Sequence, residues 1–286
     1  MNIEKSGRIR NHDMSFFQVL AKEGTMFSVQ HIIWVAISII ITVAGLAFMK
    51  NHKVNLKDVL TVCCLVCVAS EVTKILSCIE MVPSSDGTII YPYLQMQHLP
   101  LHLCSIQIFT IFYCRFGKGT IAESDFKQFL LSFMYPTCTL GAIFAIALPS
   151  IFNTTITVSQ AFTHPVAYQL FIYHSALLAL GLYIPMSGEV RFSWSTYRRT
   201  MLALAVLTLF GIYFNSIFAS PTYVDGKLVS VDYVTNFFFL YRTPVGVALE
   251  TKLAWFVYLL ILVVLAFSLI ALMYLPLKKE RKKADS

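Results

Sequence analysis

One cysteine, Cys104, lies in a run of residues that can do chemistry. The run at 98–107 reads His-Leu-Pro-Leu-His-Leu-Cys-Ser-Ile-Gln. Pro100 predicts that a helix begins there, because the N–H that proline lacks has no partner in a first helical turn. Cys104 and Gln107 then share a helix face, while His102 lies nearly opposite Cys104. A thiol with a histidine from another segment is the minimum for nucleophilic acyl transfer, and an amide such as that of Gln107 can stabilise the oxyanion.

Further polar side chains lie within or beside apolar segments. His174 is about ten residues into one such segment, and Glu71 and Lys74 are three residues apart in another. Charges inside a membrane usually pair, so Glu71 and Lys74 are predicted to form an ion pair on one helix face. His174 is either a hydrogen-bonded core residue or a functional one. The other candidate residues for lining a site are His31, His102, Gln107, Asn215 and Asn236.

The composition predicts that these residues belong to a membrane protein. Apolar residues make up 57% of the 286-residue chain, and charged residues only 13%. A soluble domain cannot bury so much apolar surface, whereas a bilayer is itself an apolar solvent. Runs of about 18–23 apolar residues predict seven transmembrane helices in an all-α fold. The predicted spans are Ile32–Met49, Val59–Ile79, Leu99–Phe116, Phe129–Ile151, Val166–Pro185, Met201–Ala219 and Leu253–Leu275.

The spans divide the chain and predict its orientation. Residues 1–30 are predicted to be an N-terminal tail, residues 31–276 the seven-helix domain, and residues 277–286 a basic tail. Alternate loops together with the C-terminal tail hold 14 of the Lys and Arg residues, whereas the other loops and the N-terminal tail hold seven. The basic side is normally cytoplasmic, so the C-terminus is predicted inside and the N-terminus and the 220–250 loop outside. A nucleic-acid surface would instead need a continuous basic face, and we expect no such partner.

Orientation and position together place six polar groups in one layer of the membrane. The groups that fall in the outer halves of their spans are His31, Glu71, Lys74, Cys104, His174 and Asn215. Chance would scatter such groups over both halves. A site near the outer interface suits a phospholipid, whose ester bonds lie between headgroups and acyl chains.

Other classes of function stay open on the residues alone. Glu71, Lys74 and the histidines could form a proton-coupled transport path, although the inner halves of the spans show no second polar layer. Three histidines could bind haem or a metal, but the sequence does not repeat a ligand on each side of the bilayer, and we expect neither metal nor cofactor. The other cysteines, including the C-x-x-C spacing at 64–67, are predicted to pack. A scaffold without catalytic activity is a further alternative.

Four segments resemble the YwaF family of bacterial membrane proteins, which groups with the animal transmembrane protein 164. They are Phe-Ser-Val-Gln-His-Ile at 27–32, Leu-Pro-Leu-His-Leu-Cys at 99–104, Ile-Tyr-His-Ser at 172–175, and Thr-Asn-Phe-Phe-Phe-Leu at 235–240 followed by Pro244. The resemblance extends from about residue 16 to about residue 275. The Leu-Pro-Leu-His-Leu-Cys segment is its most specific part.

The resemblance implies a seven-helix acyltransferase in which Cys104 is the nucleophile and His174 the base. A fatty acyl chain would move between a phospholipid and a lysophospholipid through a cysteine thioester. These lipids would be the partners of the protein, and the cell membrane its location. With water as the acceptor, the same residues would form a lipid ester hydrolase.

Overall fold

The computed structural model describes residues 27–149, 151–243 and 249–284, and this part of the chain is mainly helical. It contains seven helices of more than one turn, α1 (Val29–Asn51), α2 (Leu56–Cys78), α3 (Leu103–Phe116), α4 (Asp125–Ala147), α5 (Pro165–Met186), α6 (Trp194–Ile217) and α7 (Lys252–Ala284). Single turns occur at Met96–His98, Ile151–Thr154, Val158–Gln160 and Phe237–Phe239. Six helices are long and apolar enough to cross a membrane, whereas α3 is apolar but has 14 residues. Most of the predicted N-terminal tail lies outside the described residues, and seven spans remain a prediction.

The described part of the chain is mainly helical, as predicted, but two β-hairpins that were not predicted follow helices. Strands β1 (Ile79–Pro83) and β2 (Ile90–Leu94) pair antiparallel after α2. Strands β3 (Ala219–Val224) and β4 (Lys227–Tyr233) pair after α6, around an Asp225-Gly226 turn in which both residues have positive φ, as a type I′ turn requires. The strands are short and mostly exposed, so they lack the alternating apolar pattern that would have predicted them.

Helix α5 lies at the centre of the bundle, in contact with α1, α2 and α4. The ring of Trp34 in α1 stacks on Phe171 with the ring centroids 4.9 Å apart. Helix α4 comes so close that a Cβ at Gly181 would lie 2.9 Å from the backbone nitrogen of Thr139 and 2.5 Å from its hydroxyl oxygen, so this position favours glycine. By contrast, α7 leaves nearly all of its apolar surface exposed, as suits a helix that faces lipid.

The proline inside α4 explains how α7 is attached. Pro136 has no N–H, so the carbonyl of Ser132, four residues earlier, loses its helical partner. The hydroxyl of Tyr274 in α7 donates to that carbonyl at 2.6 Å. Because the single hydrogen of Tyr274 is used there, Thr200 of α6 donates to the Tyr274 oxygen at 3.3 Å. One tyrosine thus joins three helices at a carbonyl that would otherwise be unpaired.

Helix α3 begins at Leu103, four residues later than predicted. Pro100 does not lie in its first turn but in the irregular segment before it, where the N–H of Leu101 donates to the carbonyl of Leu99 at 2.8 Å. At about 1.5 Å per residue, α3 is roughly 20 Å long, less than the hydrocarbon core of about 30 Å. Residues 97–102 are all half-buried. Such irregular backbone is tolerated at membrane depth only where protein surrounds it or a cavity borders it.

Candidate active site around Cys104

Cys104 lies in the first turn of α3, and Tyr173 connects it to α5. The hydroxyl of Tyr173 donates to the backbone carbonyl of Cys104 at 2.8 Å. Tyr173 also contacts the neighbouring His174, with ring centroids 5.2 Å apart. The turn of α5 that carries His174 therefore lies beside the start of α3. Tyr173 is well inside its own helix, and the two meet because α3 begins part-way along α5.

His174 is buried and has one nitrogen free. Its Nδ1 lies 2.7 Å from the carbonyl oxygen of Leu170. A carbonyl can only accept, so Nδ1 carries the ring proton and Nε2 a lone pair. Among the described residues, Nε2 has no hydrogen-bond partner. Buried polar atoms nearly always have one, so this nitrogen is in the form that accepts a proton from a thiol or hydroxyl.

His31 is also buried, but both of its ring nitrogens are hydrogen-bonded. The N–H of Phe27 donates to Nδ1 at 3.1 Å, so the proton is on Nε2, which donates to the carbonyl of Ile146 at 2.9 Å. Its ring also lies against Phe171. His31 thus joins the start of α1 to the end of α4, which is a structural role.

Glu71 and Lys74 form the predicted ion pair, with Nζ of Lys74 2.8 Å and 2.7 Å from the two carboxylate oxygens. The charge of Lys74 also acts on His98, in the loop before α3. Burial lowers the pKa of His98, and Lys74 acts in the same direction while Glu80 opposes it. The ion pair therefore lies within electrostatic range of the start of α3.

Gln107 is fully engaged in packing α3 against α4. Its amide nitrogen donates to the carbonyl of Leu103 and to the hydroxyl of Thr137, both at 3.1 Å. Its amide oxygen accepts from Thr110 at 3.1 Å. To stabilise an oxyanion, this amide would have to give up its hydrogen bond to Leu103 or to Thr137.

The two asparagines among the candidates shape the loop after β4. Asn215 of α6 donates to the carbonyl of Phe237 at 3.1 Å and accepts from the N–H of Phe237 at 2.8 Å and from Thr235 at 3.0 Å. Asn236 donates to the carbonyl of Arg242 at 2.8 Å and accepts from its N–H at 3.1 Å. Both side chains therefore act on loop backbone.

His102 precedes α3 and meets this loop. Its ring contacts Phe237 edge-on with the centroids 4.9 Å apart. Within the described chain, its side chain makes no capping hydrogen bond to α3. The N–H groups of a first helical turn have no helical acceptor. Cys104 and Ser105 are the second and third residues of α3, so their N–H groups are two of these.

The contacts gather the predicted polar groups at one end of the bundle. Those made with the first half of α5 are His31–Phe171, Ser70–Gln169 and Cys104–Tyr173. Ser70 immediately precedes Glu71. Asn215 bonds to the backbone of Phe237, and the ring of Phe237 contacts His102 just before α3.

A second group of buried polar residues lies at the other end, where α3 ends and α4 begins. The Lys127 ammonium donates to the carbonyls of Gly117 and Gly119, both at 2.8 Å, and Gln128 donates to that of Glu189 at 2.9 Å. A cation at the end of α3 also suits the helix dipole. These bonds are structural, and Lys127 and Gln128 precede the predicted span Phe129–Ile151, so they lie outside the inner halves in which no second polar layer was predicted.

A comparison with protein families now identifies the relatives of this chain. The TMEM164 family model matches residues 26–274, which include every predicted site residue. The chain belongs to the TMEM164 family. This match confirms the predicted relation to transmembrane protein 164 and, with the six long apolar helices, shows a multi-pass membrane protein. No curated protein and no solved structure shows significant similarity to the chain.

Two residues of this TMEM164 family member were missed by the sequence analysis, Tyr173 and Phe237. Tyr173 adjoins His174, and a tyrosine inside an apolar span needs an acceptor for its hydroxyl, which was a usable signal. Phe237 lies in a segment that carried the family resemblance. Its contact with His102 joins residues far apart in sequence, which no local pattern indicates.

Proposed function

We propose that this protein is a membrane phospholipid acyltransferase that transfers a fatty acyl chain to a lysophospholipid through a thioester on Cys104. The observation that carries the proposal is the free Nε2 of His174, on the turn of α5 that Tyr173 connects to Cys104. Membership of the TMEM164 family and the apolar surroundings of Cys104 support a lipid substrate in the cell membrane.

In the first half of the reaction, Nε2 of His174 takes the thiol proton, and the sulfur of Cys104 attacks the carbonyl carbon of the donor ester. The N–H groups at the start of α3 stabilise the oxyanion that forms. Its collapse breaks the bond to the glycerol oxygen, which takes the proton from His174. A lysophospholipid leaves, and the acyl chain remains on sulfur.

In the second half, the hydroxyl of the acceptor lysophospholipid gives its proton to Nε2, and its oxygen attacks the thioester. The thiolate leaves and regains the proton from His174. Water in place of the acceptor would release a free fatty acid. His174 is only 6% exposed, and this burial favours transfer over hydrolysis because it limits water at the base.

A proton-coupled transporter is the alternative from another class. Two observations weaken the transporter alternative. Glu71 and Lys74 already pair with each other, and both nitrogens of His31 already have hydrogen-bond partners. Transport also gives no role to a thiol, so removal of Cys104 separates the two functions.

The test is Cys104→Ala and His174→Gln, each reconstituted in vesicles with a labelled donor phospholipid and a lysophospholipid. We expect Cys104→Ala to abolish transfer and His174→Gln to slow it by about 100- to 10,000-fold. The wild type should carry a labelled acyl group that hydroxylamine releases, and Cys104→Ala should carry none. Cys114→Ala, which removes a buried thiol from the same helix, is the matched control and should stay active. Full activity in both test variants would refute the mechanism.

A further inference from the structure

The loop after β4 contains a strained aromatic turn. We call residues 235–240, Thr-Asn-Phe-Phe-Phe-Leu, the aromatic loop. Phe238 and Phe239 have φ of 59° and 56°. Bulky residues seldom adopt this left-handed region, because their Cβ approaches a carbonyl oxygen. Such strain persists only where surrounding contacts hold the backbone. The neighbours of the aromatic loop therefore determine its shape.

Two helices supply these contacts. Asn215 of α6 makes three hydrogen bonds to the aromatic loop, one donated by its amide nitrogen and two accepted by its amide oxygen. From α7, the indole N–H of Trp255 donates to the carbonyl of Leu240 at 2.9 Å. The hydroxyl of Tyr258 donates to the carbonyl of Phe239 at 2.7 Å. Polar side chains inside a membrane helix are expensive, and here three of them hold one turn.

The contacts direct Phe237 toward the start of α3. Its side chain is fully buried, and its ring lies edge-on to His102. His102 is two residues before Cys104, which is itself only half-buried. The ring of Phe237 is therefore part of the wall beside the first turn of α3.

We propose that Phe237 is a specificity-determining residue for the acyl chain carried by Cys104, and that Asn215 is the residue that positions it. This inference rests on the proposed acyltransferase function. The fully buried Phe237 ring fills the space on this side of the first turn of α3, so its volume limits how long a chain on the sulfur of Cys104 can be accommodated. One methylene more or less in an apolar pocket changes preference by about tenfold or more.

The experiment compares which chains Cys104 accepts. The full-length protein is placed in vesicles that contain phosphatidylcholines of graded saturated chain length, and hydroxylamine releases the bound chains for mass spectrometry. Phe237→Ala should raise the ratio of longer to shorter chains by about tenfold, and Phe237→Trp should lower it. Asn215→Leu, which keeps the ring but removes the bonds that position it, should broaden the distribution. Phe237→Leu should fall between the wild type and Phe237→Ala.

Phe239→Ala is the matched control. Phe239 has the same strained backbone in the same loop, but its side chain is 37% exposed, so its removal should leave the wild-type distribution. If hydroxylamine releases no acyl chain from the wild-type protein, both the proposed function and this inference are refuted. A wild type that carries chains, with the same distribution in all Phe237 and Asn215 variants, would overturn the inference alone.

Discussion

Tyr173 joins the helices that hold the proposed nucleophile and the proposed base. Its hydroxyl bonds to the backbone of Cys104 and its ring packs on His174. One intramolecular hydrogen bond contributes only about 0.5–1.5 kcal/mol to folding. Its effect on the reaction can be larger, because a displacement of about 1 Å between reacting groups can slow an enzyme about 100-fold.

Tyr173→Phe tests this difference between stability and activity. It keeps the ring and removes the hydroxyl, so we expect a loss of about 1 kcal/mol in the free energy of unfolding. Thioester formation on Cys104 should slow by about tenfold or more, because the start of α3 is no longer fixed to α5. Thermal unfolding in detergent and the rate of acyl labelling are the two measurements.

Tyr183→Phe is the control for that substitution. Tyr183 also belongs to α5, and its hydroxyl donates to the carbonyl of Val54 at the other end of the bundle. The control should lose similar stability with little change in labelling rate. An equal loss of labelling in both variants would show that Tyr173 acts only through stability.

The two buried histidines show what a residue-level prediction lacks. Both looked alike in sequence, as ionisable groups in outer halves of apolar spans. His31 finds its acceptor at Ile146, 115 residues along the chain, whereas the Nδ1 of His174 uses a carbonyl of its own helix. Only the three-dimensional contacts distinguish an imidazole with both nitrogens hydrogen-bonded from an imidazole with one free nitrogen. The predicted ion pair of Glu71 and Lys74 was accessible from sequence because both members lie on one helix face.

At the scale of elements, length and apolar composition located the seven described helices of more than one turn, but not all of their starts: α3 begins four residues later than predicted and α6 seven residues earlier. Pro100 suits a first helical turn on local grounds. The true start at Leu103 depends on contacts with α5 and with the aromatic loop, which are distant in sequence. The hairpins were missed because exposed strands of five to seven residues carry no alternating pattern.

The close approach of α4 and α5 gives a prediction at this scale. Gly181→Ala would place a Cβ 2.5 Å from the Thr139 hydroxyl and 2.9 Å from its backbone nitrogen, so the helices must separate. We expect a loss of about 1–3 kcal/mol in the free energy of unfolding, measured by thermal denaturation in detergent. Gly141→Ala in α4 is the control, because a Cβ there meets no described atom within 4 Å. It should be neutral or stabilising by about 0.5–1 kcal/mol, since alanine favours a helix. Equal effects of the two substitutions would contradict the close packing.

At the scale of the whole molecule, the orientation decides which leaflet supplies the lipid. The distribution of Lys and Arg predicts that the hairpin end of the bundle faces outside. Cys104, His174 and the aromatic loop lie toward this end, because α3 begins after the first hairpin and the aromatic loop follows the second. The proposed site would then take phospholipids from the outer leaflet.

Single cysteines at the two ends of the bundle test this orientation. Ser230 in β4 and His52 after α1 are both exposed, and each can be replaced by cysteine. A membrane-impermeant maleimide should label Ser230→Cys on intact cells and His52→Cys only after permeabilisation. The wild type gives the background, which should be low because six of its seven cysteines are buried and Cys104 is half-buried. The reverse pattern would place the hairpins in the cytoplasm and make the inner leaflet the source of the lipid. The proposed chemistry of Cys104 and His174 would be unchanged, because it depends on the contact between α3 and α5 and not on the side of the membrane.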